Sequence, residues 1–246
     1  MFTRTFERAG AIALAIGSLG FVAIFLYLQS TFGYPDILDH SAAEVLPRLA
    51  AGGRTLHTTW LFYAALPLTL LVAGLASMPL LEDGGGRGLA RLGGAAAVLA
   101  AIAMMVGLLR WPTLHAVLAE RWDAASADQR AGFAALFDGA NRYLGNMIGE
   151  LCGELSLAAW VATIGIALRR SERSRVGTIS LLAAAIVGVG ALRQFTTLVD
   201  PVAAISNLVL PLWLVVTAVL MWQHGAPHLL APRACGARIG DAGASE

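Results

Sequence analysis

YLGNMIGELCGELSLAAWVATIGIAL, Tyr143 to Leu168, is the stretch that decides the fold. At 1.5 Å of rise per residue it makes a helix about 39 Å long, more than the roughly 30 Å hydrocarbon core of a bilayer. Two charged side chains interrupt it, Glu150 and Glu154, one helical turn apart. A surface helix of a soluble protein would carry a continuous polar face over that length. Backbone in lipid has to satisfy its own hydrogen bonds, so the segment reads as a membrane-spanning helix.

Working outward, five more stretches have the same character: Gly10–Leu28, Thr58–Leu81, Gly93–Leu109, Gly177–Val199 and Pro201–Trp222. The expected fold is all-α, a polytopic membrane bundle of six transmembrane helices. Composition agrees: 57% of the 246 residues are apolar or aromatic and 13% are charged, against about a quarter charged in soluble domains. A disordered chain, a disulfide scaffold and a soluble enzyme of ordinary composition are excluded. The first run follows Arg4 and Arg8 but is longer than a signal h-region and lacks a small-residue cleavage site, so it reads as a retained span. Pro201 suits the first turn of the sixth helix, allowing a tight reversal after the fifth.

Arginine placement sets the expected orientation. Ten arginines fall in segments on the side of the N-terminus, with a cluster at Arg169, Arg170, Arg173 and Arg175, and six fall on the other side. By the positive-inside rule both termini are cytoplasmic. Lysine is absent beside 27 glycines, a composition typical of a GC-rich bacterium, so the expected location is a bacterial cytoplasmic (inner) membrane. Residues 1–223 form one six-span membrane domain, and 224–246 a disordered cytoplasmic tail.

The outer loops are the long ones. Ala42–Leu49 and Thr113–Trp122 read as short interfacial helices, and Ser126 is placed to cap a third over about Ala127–Phe137. These segments are expected to fold back over the span ends. Asp83–Arg87 reads as a flexible turn, since a phosphate cradle needs a strand and a lysine. Cys152 and Cys235 are too far apart in the topology for a disulfide, and Cys152 reads as a small core residue. Trp60, Trp111 and Trp222 sit at span boundaries, as interfacial anchors do. Pro67 and Pro211, near the middle of two spans, should kink them.

Polar residues inside the spans are the candidate site. Glu150 lies seven residues after Tyr143 and Arg193 six before Val199, so both sit roughly 10 Å below the outer boundary. Asn146 on the fourth span and Asn207 on the sixth lie at comparable or shallower depth, and Arg110 at the end of the third reaches toward the same layer. Glu150 and Arg193 are expected to pair. Glu154 lies deeper, about 16 Å in, with no cation at its level, and is expected to be protonated. Gly145, Gly149 and Gly153 recur at spacing four, which lets another helix approach closely. The same residues also admit a plainer reading as polar glue between helices.

His57 and His115 are the weak metal candidates, on the outer side with His40, but no paired-histidine helix motif specifies a site. No motif asks for a cofactor, and no G-x-S-x-G setting offers a nucleophile. With a net charge of +1 and no basic stripe, nucleic acid is not an expected partner. The bilayer is the expected partner, and a small-molecule or lipid ligand and a homodimer are both compatible with the chain.

Phe32-Gly33-Tyr34-Pro35-Asp36-Ile37-Leu38 after the first span, Leu109-Arg110-Trp111-Pro112 closing the third, and Asn141-Arg142-Tyr143 leading through Gly145 and Gly149 to Glu150 occur in a recognisable order. In these motifs the chain resembles a bacterial family of six-span membrane proteins known only as domain-of-unknown-function family 4386, over most of its length to about Trp222. The resemblance implies the topology and no mechanism. Three functions stay open. The first is binding of a small molecule, lipid or partner through an outward-facing intramembrane polar layer. The second is a small proton-coupled transporter using Glu150 and Glu154, although the two halves show no repeat. The third, an intramembrane metal-dependent enzyme using the outer histidines, is the least favoured.

Overall fold

A computed structural model describes residues 2–171 and 173–224. Among them every regular element is helical: α1 (Phe2–Phe32), α2 (Ala42–Ala51), α3 (Gly53–Ala65), α4 (Leu68–Ala76), α5 (Met78–Leu109), α6 (Ala116–Trp122), α7 (Ala127–Ala140), α8 (Gly153–Arg169), α9 (Ser174–Gly190) and α10 (Asp200–His224). Six segments are long and apolar enough to cross a bilayer: Arg4–Phe32, Gly53–Ala76, Met78–Trp122, Ala127–Arg169, Ser174–Gln194 and Thr197–His224. The chain is a multi-pass integral membrane protein. The tail expected beyond Gln223, with Cys235, lies outside the described residues from position 225.

Helix breaks fall where the residue types require them. Pro67 has no N–H to continue α3, and α4 begins after it. Gly86 has φ 81° inside α5, a left-handed conformation open to glycine, and the chain turns back there. Gly74 meets Ala97 and Gly93 meets Leu81 across the resulting hairpin. Asp83–Arg87 is thus a turn, built into helix on both sides. Pro211 remains inside α10.

One end of the bundle holds both ends of the described chain. There His224 at the end of α10 contacts Glu7 of α1 and Asp83 beside the Gly86 turn, each at 3.2 Å. The Arg8 guanidinium lies 5.0 Å from the Trp222 ring. A first core fills this half with small and branched residues around Trp160, whose indole N–H donates to Ser77 Oγ at 3.1 Å.

The opposite end, the loop end, is more elaborate than the sequence reading allowed. α5 runs through a π-helical turn, Trp111–His115, into α6, and α7 runs through a π-helical segment, Asn141–Cys152, into α8. The second and third expected loop helices are therefore continuations of spans, while α2 folds back against them. Ser126 caps α7 as expected: its Oγ accepts from the Gln129 N–H at 3.3 Å, and Gln129 Oε1 accepts from the Ser126 N–H at 2.9 Å. Ser126→Ala should lower stability by about 1 kcal/mol and Ser126→Asp should largely retain it, as read by thermal unfolding in detergent.

α2, α6 and α7 enclose a second, aromatic core. Trp60 and Trp111 are completely buried in it, stacked with ring centroids 4.6 Å apart and planes 9° apart. They are not interfacial anchors, because the loop-end helices cover them. Cys152 is also corrected: it is exposed, since its neighbours Gly149 and Gly153 are the residues buried against α5. A Cβ on Gly149 would lie 2.9 Å from Gly107 Cα, and one on Gly153 would lie 2.7 Å from Met104 Cγ. The close approach expected from the glycine spacing is present, and α5 is the helix that makes it.

Candidate functional site

The polar layer is assembled where α8 and its π-helical lead-in pass the end of α9. α9 tightens after Gly190 into a single 3-10 turn, Ala191–Gln194, which aims Arg193 at the carboxylates. Arg193 Nη1 donates to Glu154 Oε2 and Nη2 to Glu154 Oε1, both at 2.8 Å, and Nη2 also donates to Glu150 Oε2 at 2.9 Å. Gln194 Nε2 reaches the same Glu150 oxygen at 2.6 Å, and the Gly190 carbonyl accepts from Arg193 Nη1 at 3.2 Å. The expected Glu150–Arg193 pair is present. The expectation that Glu154 lacks a cation is overturned: it is the more fully engaged of the two acids. Carboxylates one turn apart lie about 6 Å apart along the axis, within the span of one guanidinium fork.

Arg110 is held separately. It is 5% exposed; Nε donates to Asn141 Oδ1 at 2.9 Å, Nη1 to the Gly107 carbonyl, and the guanidinium lies 5.4 Å from the Trp111 ring. Gly145 makes room for it, since a Cβ there would sit 2.7 Å from Arg110 Cζ. Arg110 has no carboxylate in ion-pair range among the described residues. Tyr34 stands where these charges converge. Burial above all, and then the Glu150 carboxylate, pushes its phenol up to about 12 against the opposing pull of Arg110 and Arg193. It remains a neutral hydrogen-bonding group at any physiological pH.

Arg193, Gln194, both glutamates, Arg110, Asn141 and Tyr34 line one cavity of about 1170 Å³ with walls from all six spans. Its loop-end rim carries Asp36, Asp39, Asp138 and Asp200 with Arg142. Next come Arg110, Tyr34 and the Glu150–Arg193–Glu154 group, with Asn146 and Asn207 also on the wall. Neither asparagine side chain has a hydrogen bond among the described residues, and Asn207 is exposed. Deeper, the lining turns apolar with Leu14, Leu70, Leu157 and Leu214, and both Pro67 and Pro211 belong to it.

The family model for a domain of unknown function (DUF4386) matches residues 8–218. The chain belongs to this family. The DUF4386 region takes in the whole lining of the cavity, from Leu14 to Leu214. No curated protein and no solved structure matches the chain.

Of the histidines in the DUF4386 region, His40 lines the cavity beside Asp39, while His57 and His115 do not. His115 is fully buried between Trp111 and Phe137, at centroid distances of 4.8 and 4.5 Å, while His40 pairs with Glu44 at 2.7 Å. His57 lies half-buried on α3. No group of three or more His, Cys, Asp or Glu side chains gathers as a metal site among the described residues. Sequence reasoning missed Gln194 and the involvement of Tyr34; Gln194 offered one signal, its place next to Arg193.

Proposed function

We propose that this membrane protein binds an amphiphile, a lipid or lipid-like small molecule, in the central cavity, entering from the loop end. The observation that carries this reading is the layering of the cavity: charged rim, hydrogen-bonding middle, leucine-lined depth. That sequence of chemistries suits a molecule with a polar head and an apolar tail, and the volume exceeds the roughly 300–1,000 Å³ usual for drug-sized ligands. Both π-helical segments border it, and such distortions recur at functional sites. The arginine bias supports the loop end as the outer face with both termini cytoplasmic, and the proposed location is a bacterial inner membrane.

The test is retention. Protein purified in a mild detergent, exchanged into nanodiscs and extracted should release a co-purifying amphiphile detectable by mass spectrometry. Leu210→Trp, which fills the apolar depth, should abolish retention without shifting thermal unfolding by more than a few degrees. Equal extracts from both proteins would refute the reading. One observation favours a second one: Pro67 and Pro211 weaken two cavity walls at mid-span, as a moving carrier would require. A proton-coupled carrier predicts that Glu154→Gln stops solute flux in proteoliposomes while the protein still folds.

A further inference from the structure

We infer that the occupant carries its charge as a cation: the cavity is built for a positively charged head group on an apolar chain. The inference rests on the amphiphile-binding reading above and adds the sign of the charge. Six acidic residues line the cavity against three arginines and His40, and the two innermost arginines already hold partners inside the protein. Arg193 is clasped by two carboxylates. Arg110 is occupied by Asn141, the Gly107 carbonyl and the face of Trp111. Only Arg142 at the rim is exposed.

The acids are less fully used. Glu150 receives both its donors on Oε2, leaving Oε1 without a hydrogen bond among the described residues. The four rim aspartates have no ion-pair partner among the described residues. A rim carrying four carboxylates against Arg142 and His40 favours cations over anions before they enter. Inside, the lining includes the rings of Phe21, Phe25 and Tyr34, with Phe25 and Tyr34 meeting edge to face at 5.4 Å. Aromatic faces beside a carboxylate bind alkylammonium groups through cation–π attraction.

A second, independent observation also points to a ligand. Ser206, 4% exposed and part of the lining, makes no hydrogen bond among the described residues. Its Oγ is not fully enclosed by protein, so the hydroxyl is open to an occupant of the cavity.

Binding to full-length protein in nanodiscs tests this with four radiolabelled probes: dodecyltrimethylammonium, dodecyl phosphate, dodecyl maltoside and tetramethylammonium. The cationic chain should bind saturably at one site, about tenfold or more tighter than the phosphate. Glu150→Gln should erase that preference, and Glu82→Gln, in the exposed pair with Arg87, should keep it. Should Glu150→Gln fail size-exclusion chromatography, the rim variant Asp36→Asn/Asp138→Asn is expected to reduce the preference instead. Equal or tighter binding of the phosphate would overturn the cationic assignment and leave the amphiphile reading standing. Saturable binding by none of the dodecyl probes would overturn both. Tetramethylammonium binding as tightly as the dodecyl cation would transfer the site to a small free cation and overturn the requirement for a chain.

Discussion

Replacing Arg193 with glutamine is expected to lower the unfolding free energy by about 3 kcal/mol, the low end of the range seen when one partner of a buried ion pair is removed, because the three side chains keep between 14% and 27% exposure. The guanidinium is the only cation within ion-pair distance of Glu150 or Glu154 among the described residues. Without it, two carboxylates one turn apart face each other inside the bundle. Ionised side chains are costly at that depth even singly. Lysine should recover part of the loss, since it restores the charge without the fork that holds both Glu154 oxygens at once. Adding Glu154→Gln to Arg193→Gln should also recover part, because the residual repulsion disappears, and the combined effect should fall short of the sum of the single losses. Thermal unfolding in detergent, followed by circular dichroism, measures all four proteins. An unchanged midpoint for Arg193→Gln would mean that the trio does not hold the fourth and fifth spans together.

What the sequence made legible was whatever depends on position along a helix. Span count, the Glu150–Arg193 pairing and the glycine face of the fourth span all follow from rise and periodicity, which one dimension encodes. Glu154 was misjudged because counting depth along a straight axis treats side chains as points. An arginine extends well beyond its own level, and two acids on one face share it. Trp60 and Trp111 were misjudged for a different reason. A tryptophan at a span end looks the same whether lipid headgroups or protein cover it, and only the docking of α2 on α6 and α7 distinguishes the two. Ser206 and the π-helical segments left no local signal at all, because the first becomes notable through missing neighbours and the second through hydrogen-bond register.

The site owes its shape to contacts without side chains, and Gly149→Val is the variant that measures this. The third and fourth spans meet backbone to backbone: a Cβ on Gly149 falls 2.9 Å from Gly107 Cα, and one on Gly107 falls 2.6 Å from Gly149 Cα. Overpacking costs about 1–3 kcal/mol where neighbours can adjust. Here the obstacle is main chain on the facing helix, so the loss should lie near 3 kcal/mol. The consequence should also reach the cavity. Forcing the spans apart shifts Glu150, the next residue, away from Arg193 and widens the Gly145 seat that holds Arg110. Amphiphile retention should therefore fall together with stability. Gly132 supplies the comparison: nothing lies within 4 Å of a Cβ there, and it sits within α7, so Gly132→Ala should be neutral or stabilising by up to about 1 kcal/mol. If Gly149→Val unfolds at the same temperature as Gly132→Ala and still retains the extractable amphiphile, close packing of the two spans is not what positions the charged layer.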